Sequence, residues 1–319
     1  MSKKFAFLFP GQGAQEPGML KDICEAFESA RKVIGEISKI AGVDMEHLLW
    51  GTDKETLSRS DNSQLAITAA SLSTIKVLEE KQISPSAVMG FSLGEFPALY
   101  ASGVLSFEDV VKVVQRRGQI MQEVCEKIAS ENAGHAPGMS AIVGLPPEKV
   151  IEIAHTIDNV YAANLNSVKQ TVVSGTADGL EKAEKAFTDA GARRCIRLAV
   201  AGPFHCPLMQ EAADKFEKAI ADVQFNDPKI TLFSNVTGKQ ATSGDEIKKN
   251  AVLHLTNPVR WTDEEAVLAD VITKDGGEWA VYETGPGKVL AGLWKNTAFG
   301  EGLPCVSINT ADGINTANV

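Results

Sequence analysis

The stretch 87–102, AVMGFSLGEFPALYAS, decides the fold of this 319-residue chain. A short apolar run is followed by Gly90-Phe91-Ser92-Leu93-Gly94 and then by residues that favour a helix. This order predicts a strand, a sharp turn and a helix, with Ser92 exposed on the turn between two glycines whose Cβ atoms would collide with neighbouring backbone. The first amides of the helix would face any negative charge that develops beside Ser92. The pattern predicts a nucleophilic serine, and the alternative is a plain serine in a glycine-rich turn.

The composition is that of an ordinary globular enzyme, with 44% hydrophobic and 23% charged residues. A net charge of −10 disfavours nucleic acid or an anionic membrane as the main partner. No apolar run approaches the roughly 20 residues of a membrane span, and the apolar block near the N-terminus is too short for a secretory signal. Five scattered cysteines without C-x-x-C spacing indicate reduced thiols and no zinc site. We therefore expect a cytoplasmic protein.

The rest of the sequence predicts two parts of different architecture. Residues 5–9 form a continuous apolar run that ends at Pro10-Gly11-Gln12-Gly13, which is typical of a buried parallel strand entering a tight loop. Strand-like and helix-like segments alternate before residue 129 and after residue 200, which predicts a parallel sheet covered by helices on both faces. Residues 130–199 follow the order β-α-β-β-α-β, the arrangement of a ferredoxin-like subdomain. The expected fold is α/β, with a larger part at 1–129 and 200–319 and a smaller part at 130–199.

Two further residues have patterns that suggest chemistry. Arg117 lies on the apolar face of a helix predicted for 106–128, and a buried guanidinium is costly unless it meets an anion such as a carboxylate. The alternative is that Arg117 reaches the surface or pairs with an internal Asp or Glu. His205 lies in a loop between Pro203 and Pro207, which restrict the backbone and would aim its ring. It is the best placed general base among the five histidines, although a single loop histidine is more often a surface or hydrogen-bonded structural residue than a catalyst.

These motifs together resemble the malonyl-CoA:acyl carrier protein transacylases, the acyltransferase family of fatty-acid and polyketide synthesis. The resemblance extends from Phe5 to about Trp294, and its pieces occur in the order of the family. They are FPGQG at 9–13, GFSLGE at 90–95, Arg117 in RRGQIMQ, Asn164 and Asn166 in NLNS, GPFH at 202–205, NPVRW at 257–261 and ETGPG at 283–287.

The resemblance implies a hydrolase-like parallel-sheet core with an inserted ferredoxin-like subdomain. It implies that Ser92 is the nucleophile, that His205 is the base that activates it, and that Arg117 binds the free carboxylate of the malonyl group. Further roles follow from the resemblance for the backbone amides of an oxyanion hole and for other substrate-binding residues. The oxyanion hole is expected at Gln12 and Leu93, and the other substrate contacts at Gln12, Asn164 and Phe204.

The activity that the resemblance implies is transfer of malonyl from malonyl-CoA to the phosphopantetheine thiol of acyl carrier protein, through an acyl-serine, in fatty acid biosynthesis. We expect no metal, no bound cofactor and a monomer. The alternatives are a trans-acting acyltransferase of polyketide synthesis, an acyl hydrolase on the same scaffold, and a noncatalytic docking subunit. Phe204 resembles the malonyl-selective form of the family.

Two residues depart from the family pattern. Phe91 stands before the serine where the family usually has His, so acyl selectivity there is open. His254 stands where Gln is expected, at a position whose backbone carbonyl orients the base in the family.

A basic cluster in the smaller part is a candidate docking surface for the acidic carrier protein, and the alternative is a solvated helix face. The cluster consists of Lys182, Lys185, Arg193, Arg194 and Arg197.

Overall fold

The computed structural model describes residues 3–317. Its strands are β1 (Lys4–Phe9), β2 (Ala87–Gly90), β3 (Gly138–Val143), β4 (Val160–Ser167), β5 (Gln170–Gly175), β6 (Arg194–Arg197), β7 (Thr231–Ser234), β8 (Lys239–Ala241), β9 (Trp279–Thr284) and β10 (Cys305–Ile308). Its α-helices are α1 (Lys21–Ala26), α2 (Glu28–Ala41), α3 (Met45–Trp50), α4 (Lys54–Ser58), α5 (Ser60–Glu80), α6 (Glu95–Ala101), α7 (Phe107–Glu131), α8 (Pro147–Ala154), α9 (Ala177–Asp189), α10 (Gln210–Ala219), α11 (Gly244–Leu253), α12 (Trp261–Asp275), α13 (Val289–Trp294) and α14 (Ala311–Thr316).

The larger sheet has six strands in the order β10-β9-β1-β2-β7-β8. Its neighbours pair in parallel except β8, which pairs antiparallel with β7. β1 and β2 are buried on both faces, as expected for the centre of a parallel sheet. Phe9 pairs with Gly90, so the loop after β1 and the turn after β2 leave the sheet side by side at its carboxyl edge. Ligand sites of open parallel sheets lie at that edge.

Long helices supply much of the hydrophobic core of the larger part of the molecule. α5 is buried along most of its length, and it packs against α2 and α7. Ser106 caps the start of α7, where its hydroxyl accepts a hydrogen bond from the Asp109 amide at 3.0 Å. This packing fixes the helix that carries Arg117 against the interior.

The smaller sheet is antiparallel, with the order β4-β5-β3-β6. α8 and α9 cover it and form a separate apolar core with side chains such as Ile142, Val173 and Phe187. This is the predicted β-α-β-β-α-β arrangement, so the fold class is confirmed: a parallel sheet with helices and a separate ferredoxin-like sheet. The subdomain boundaries near residues 129 and 200 stay a prediction.

Several elements differ from the sequence prediction. The helical spacing of Leu20, Ile23, Phe27, Ile34 and Ile37 predicts one helix over 17–41. The chain instead forms α1 and α2, because Phe27 between them is extended, with φ −129° and ψ 113°. The short elements α3, α4, β8 and α14 were not predicted, since three to six residues give little periodic signal. No helix within 3–317 is long and apolar enough to cross a membrane.

Candidate active site

Ser92 sits on the sharp turn between β2 and α6. Its backbone is in the left-handed region, with φ 51°, and its side chain is half-buried. A Cβ on Gly90 would lie 2.0 Å from the backbone of Gly94, and a Cβ on Gly94 would lie 2.0 Å from the Phe9 carbonyl oxygen. Both glycines are therefore required by close backbone contacts, as the sequence predicted. The turn holds the Ser92 hydroxyl above the carboxyl edge of the sheet.

His205 is the hydrogen-bond partner of the Ser92 hydroxyl. Ser92 Oγ lies 2.8 Å from His205 Nε2. On the other side of the ring, His205 Nδ1 lies 2.8 Å from the backbone oxygen of His254. A carbonyl can only accept, so Nδ1 carries the proton and donates it there. Nε2 is then free to accept a proton from Ser92, and the backbone contact expected at position 254 is present despite the different side chain.

The environment of His205 keeps its ring neutral. The residue is 5% exposed. Burial first, and the positive charge of Arg117 second, lower the pKa of His205 to about 4. At neutral pH the imidazole is therefore unprotonated, which is the state that a general base needs.

Arg117 is buried without a counter-ion in direct contact. It is 1% exposed, and its Nη1 donates to Gln64 Oε1 at 2.8 Å. Its Nε and Nη2 atoms have no hydrogen-bond partner, and no salt bridge joins it to another of residues 3–317. The Phe96 ring centroid lies 5.3 Å from the guanidinium carbon. Burial lowers the pKa of Arg117 to about 10, so the side chain stays charged at neutral pH.

This geometry differs from the one that the alternative interpretation of Arg117 expects. The side chain neither reaches the surface nor forms an ion pair with an Asp or Glu of the described chain. Two N–H groups of a charged, buried guanidinium are left for a ligand, and their planar arrangement fits a carboxylate. Glu95, which forms no salt bridge with Arg117, raises the pKa of Arg117 electrostatically.

The Gln12 loop lies against the Ser92 turn. The Phe91 amide donates to the Phe9 carbonyl at 2.9 Å, and a Cβ on Gly11 would lie 2.5 Å from the Phe91 oxygen. Within 3–317, neither the Gln12 amide nor the Leu93 amide donates to another residue. Two amides on adjacent loops are thus available to an incoming oxygen.

Phe204 directly precedes His205 in the chain, while Asn164 lies on the smaller sheet. Asn164, on β4, forms a parallel bridge with Val259 and is 6% exposed. The Phe204 carbonyl accepts a hydrogen bond of 2.5 Å from the Ser174 hydroxyl on β5, so the smaller sheet supports the loop that carries His205. No hydrogen bond joins Asn164 or Phe204 to Ser92 in the described part of the chain. Among residues 3–317 no three His, Cys, Asp or Glu side chains are grouped to hold a metal ion.

Residues 6–281 match the protein family described as the acyl transferase domain. This chain belongs to that family. A malonyl CoA-acyl carrier protein transacylase from Haemophilus influenzae is 36% identical over 318 residues, which are 98% of this chain and 97% of the relative. The crystal structure of an acyl carrier protein S-malonyltransferase from Vibrio cholerae superimposes with a TM-score of 0.90 at 34% identity, covering 99% of this chain and 100% of that one.

A second solved structure adds a partner to these comparisons. It is described as a type II PKS acyl-carrier protein in complex with its malonyl-transacylase, and it matches with a TM-score of 0.89 at 34% identity over 99% of both chains. The family and the structure together establish this protein as an acyltransferase.

Two features of this acyltransferase were missed or left open by the sequence. Asn235 was not singled out, yet its Oδ1 accepts the Ser92 amide at 2.7 Å. The sequence signal for Asn235 is its position as a polar residue directly after an apolar strand, where the strand ends at the carboxyl edge of the larger sheet. Phe91, in place of the usual His, packs edge-on against Trp261 with ring centroids 5.4 Å apart. Its side chain therefore fills space beside the turn without offering a hydrogen bond.

Proposed function

We propose that this acyltransferase transfers the malonyl group from malonyl-CoA to the phosphopantetheine thiol of acyl carrier protein. The observation that carries the proposal is Arg117, a buried and charged guanidinium with two unpartnered nitrogen atoms that is electrostatically coupled to His205. A thioester with a free carboxylate at its far end fits this arrangement. The names of the relatives and the carrier-protein complex support the same substrates.

In the first step, Ser92 Oγ attacks the thioester carbonyl of malonyl-CoA while His205 Nε2 takes the hydroxyl proton. The 2.8 Å contact between these atoms supports that proton transfer. The carbonyl oxygen becomes an oxyanion, to which the Gln12 and Leu93 amides can donate. The C–S bond then breaks, and coenzyme A leaves as the thiol with the proton from His205. The product is malonyl-Ser92.

In the second step, the carrier-protein thiol gives its proton to His205 and attacks the malonyl ester. The bond between the acyl carbon and Ser92 Oγ breaks, and His205 returns the proton to Ser92. A thioester is consumed and a thioester is formed, so the overall exchange is nearly balanced in free energy. The two substrates use the same serine in turn, which gives ping-pong kinetics.

Arg117 adds an electrostatic step to this mechanism. Its positive charge is one of the two influences that lower the pKa of His205. A malonyl carboxylate bound to the guanidinium neutralises that charge and lets the pKa of His205 rise, so the base is stronger when the correct acyl group is present. An acetyl group lacks the carboxylate and gains nothing from Arg117.

We also propose roles for two further residues, an oligomeric state, a cellular location and a pathway. Asn164 and Phe204 would line the acyl or pantetheine side of the site from the smaller subdomain. The enzyme would act as a monomer, since Ser92, His205 and Arg117 come from one chain. The five cysteines are free thiols, which supports a reducing cytoplasm. Fatty acid biosynthesis is the primary pathway, and the type II PKS relative keeps polyketide synthesis as the alternative.

Mass spectrometry of the protein mixed with malonyl-CoA tests the proposal. We expect a malonyl adduct on the Ser92 peptide that persists until carrier protein with its phosphopantetheine thiol is added. Ser92→Ala should form no adduct. Ser102→Ala serves as the control because Ser102 is a buried serine at the end of α6 whose hydroxyl donates to Ala98 O at 2.8 Å, away from the turn. If the adduct is lost in buffer alone as fast as it is lost after carrier protein is added, the protein is a hydrolase instead.

A further inference from the structure

We propose that Asn235 is a positioning residue, which fixes the Ser92 turn by binding the backbone of Gly90 and of Ser92. The inference rests on the proposed role of Ser92 as the nucleophile. Asn235 directly follows β7, the strand that pairs with β2, and its side chain is fully buried. It therefore reaches the turn from the neighbouring strand at the same edge of the sheet.

The Asn235 side chain binds the backbone before and at the nucleophile. Its Oδ1 accepts from the Ser92 amide at 2.7 Å, and its Nδ2 donates to the Gly90 carbonyl at 2.7 Å. These two bonds span the turn at which Ser92 has φ 51°. A left-handed backbone is unfavourable for a serine unless surrounding contacts maintain it.

The orientation of the amide follows from its neighbours. Nδ2 also donates to Glu264 Oε1 at 2.8 Å, so this nitrogen faces two acceptors while Oδ1 faces a donor. The flipped amide would place oxygen against two acceptors and nitrogen against an N–H group. Only an asparagine in the observed orientation satisfies all three groups.

The same residue lies near His254, whose backbone supports the base. The Asn235 amide donates to Glu95 Oε2 at 3.0 Å, and that oxygen lies 3.9 Å from His254 Nδ1. The His254 backbone oxygen accepts from His205 Nδ1. Asn235 thus belongs to a buried group of polar residues that is hydrogen-bonded to the Ser92 turn and lies beside His254, without a hydrogen bond between Glu95 and His254.

Loss of these bonds should move Ser92 Oγ relative to His205 Nε2 without removing the groups that bind substrate. A displacement of about 1 Å in a reacting group can cost about 10²-fold in rate. No hydrogen bond joins Arg117 to Asn235 within 3–317, so substrate affinity should change little.

Stopped-flow acylation by malonyl-CoA separates positioning from folding, because the amplitude counts competent sites and the rate constant reports their geometry. We expect Asn235→Ala to lower the acylation rate constant about 10²-fold with less than about a threefold change in the half-saturating concentration. Asn235→Asp has nearly the same volume and keeps an acceptor for Ser92, but its second oxygen would face the Gly90 carbonyl. We expect a loss of at least about tenfold from it.

The matched control is Asn250→Ala, which removes another buried asparagine whose Nδ2 donates to Ser234 Oγ at 3.3 Å. Asn250→Ala should leave the acylation rate constant unchanged. Any effect should be limited to the acylation amplitude or to the unfolding midpoint. If Asn235→Ala does not fold, Asn235→Asp decides alone. A rate constant within twofold of wild type for Asn235→Asp, or a loss confined to amplitude, overturns the inference. Acylation that survives Ser92→Ala overturns the proposed function instead.

Discussion

A buried charge needs compensation, and Arg117 forms no direct ion pair with another residue of the described chain. Moving a guanidinium out of water is costly, and its one hydrogen bond, to Gln64, leaves two nitrogen atoms unsatisfied. Unpartnered nitrogen atoms of a buried, charged side chain are candidate ligand contacts. We propose that Arg117, rather than Ser92 or His205, selects the acyl group, since Ser92 and His205 would serve any acyl transfer.

Replacing Arg117 should separate malonyl transfer from acetyl transfer. Arg117→Ala removes two charge-assisted hydrogen bonds, worth about 3 kcal/mol together, so kcat/KM for malonyl-CoA should fall about 10²-fold. Transfer from acetyl-CoA should be unchanged or faster, because the lost positive charge no longer lowers the pKa of His205. Rates with both acyl-CoAs measure this.

The neighbouring Arg116 provides the control for that variant. It lies on the same helix, is exposed, and contacts Gln119 at 3.5 Å. Arg116→Ala should leave both acyl-CoA rates unchanged. Equal losses of malonyl and acetyl transfer in Arg117→Ala would mean that Arg117 is structural.

The sequence could predict Ser92, His205 and Arg117 because each carries a local signal: a glycine pair, a proline pair, and a charge on an apolar stripe. It could not predict Asn235, whose role depends on the pairing of β7 with β2. That pairing joins residues far apart in the chain, and a single polar residue after a strand has no periodic pattern.

At the scale of elements, the packing of α7 on α5 sets the position of Arg117. Gly118 faces α5, and a Cβ there would lie 2.6 Å from the Ser60 carbonyl oxygen. Arg117 and its partner Gln64 lie on the same two helices. Close approach of the two backbones thus brings the guanidinium to its amide partner.

Gly118→Ala should destabilise the protein although alanine favours helices. The helix preference is worth about 1 kcal/mol, while the clash with fixed backbone forces a shift that typically costs about 1–3 kcal/mol, so the clash should prevail. We expect a lower free energy of unfolding in urea, and weaker malonyl transfer because α7 moves away from Gln64.

Gly35→Ala tests the same substitution without the clash. Gly35 lies inside α2, is exposed, and has no neighbouring atom within 4 Å of the position that a Cβ would occupy. Only the helix preference acts there, so the free energy of unfolding should rise by about 0.5–1 kcal/mol. A fall in both variants would show that the Gly118 effect is not due to its contact with Ser60.

At the scale of the whole molecule, two sheets are joined at the site. β4 of the smaller sheet pairs with the segment before α12 through Leu165 N and Val259 O at 2.9 Å, and Ser174 on β5 binds the Phe204 carbonyl. The alternation of strands and helices predicted both sheets. It could not predict these junctions, because they depend on how two independently formed layers meet rather than on the period of either one.

The smaller subdomain also carries the proposed docking surface. Lys182, Lys185, Arg193 and Arg194 are exposed on α9 and at the start of β6. Arg197 is the exception within the cluster, since its guanidinium pairs with Glu184. We propose that these four cations contact the acidic carrier protein, from a surface on which the acidic residues Glu181 and Asp189 of α9 are also exposed.

Reversal of two of these charges should affect one substrate only. Arg193→Glu with Arg194→Glu should raise the KM for carrier protein at least about tenfold at low salt, and less at high salt because ions screen the attraction. The KM for malonyl-CoA should not change. Lys21→Glu with Lys39→Glu, at exposed positions on α1 and α2, alters the net charge equally and should leave both values unchanged. If this control weakens carrier-protein binding as strongly, net charge rather than the basic cluster governs the encounter, and α9 and β6 present only a solvated face.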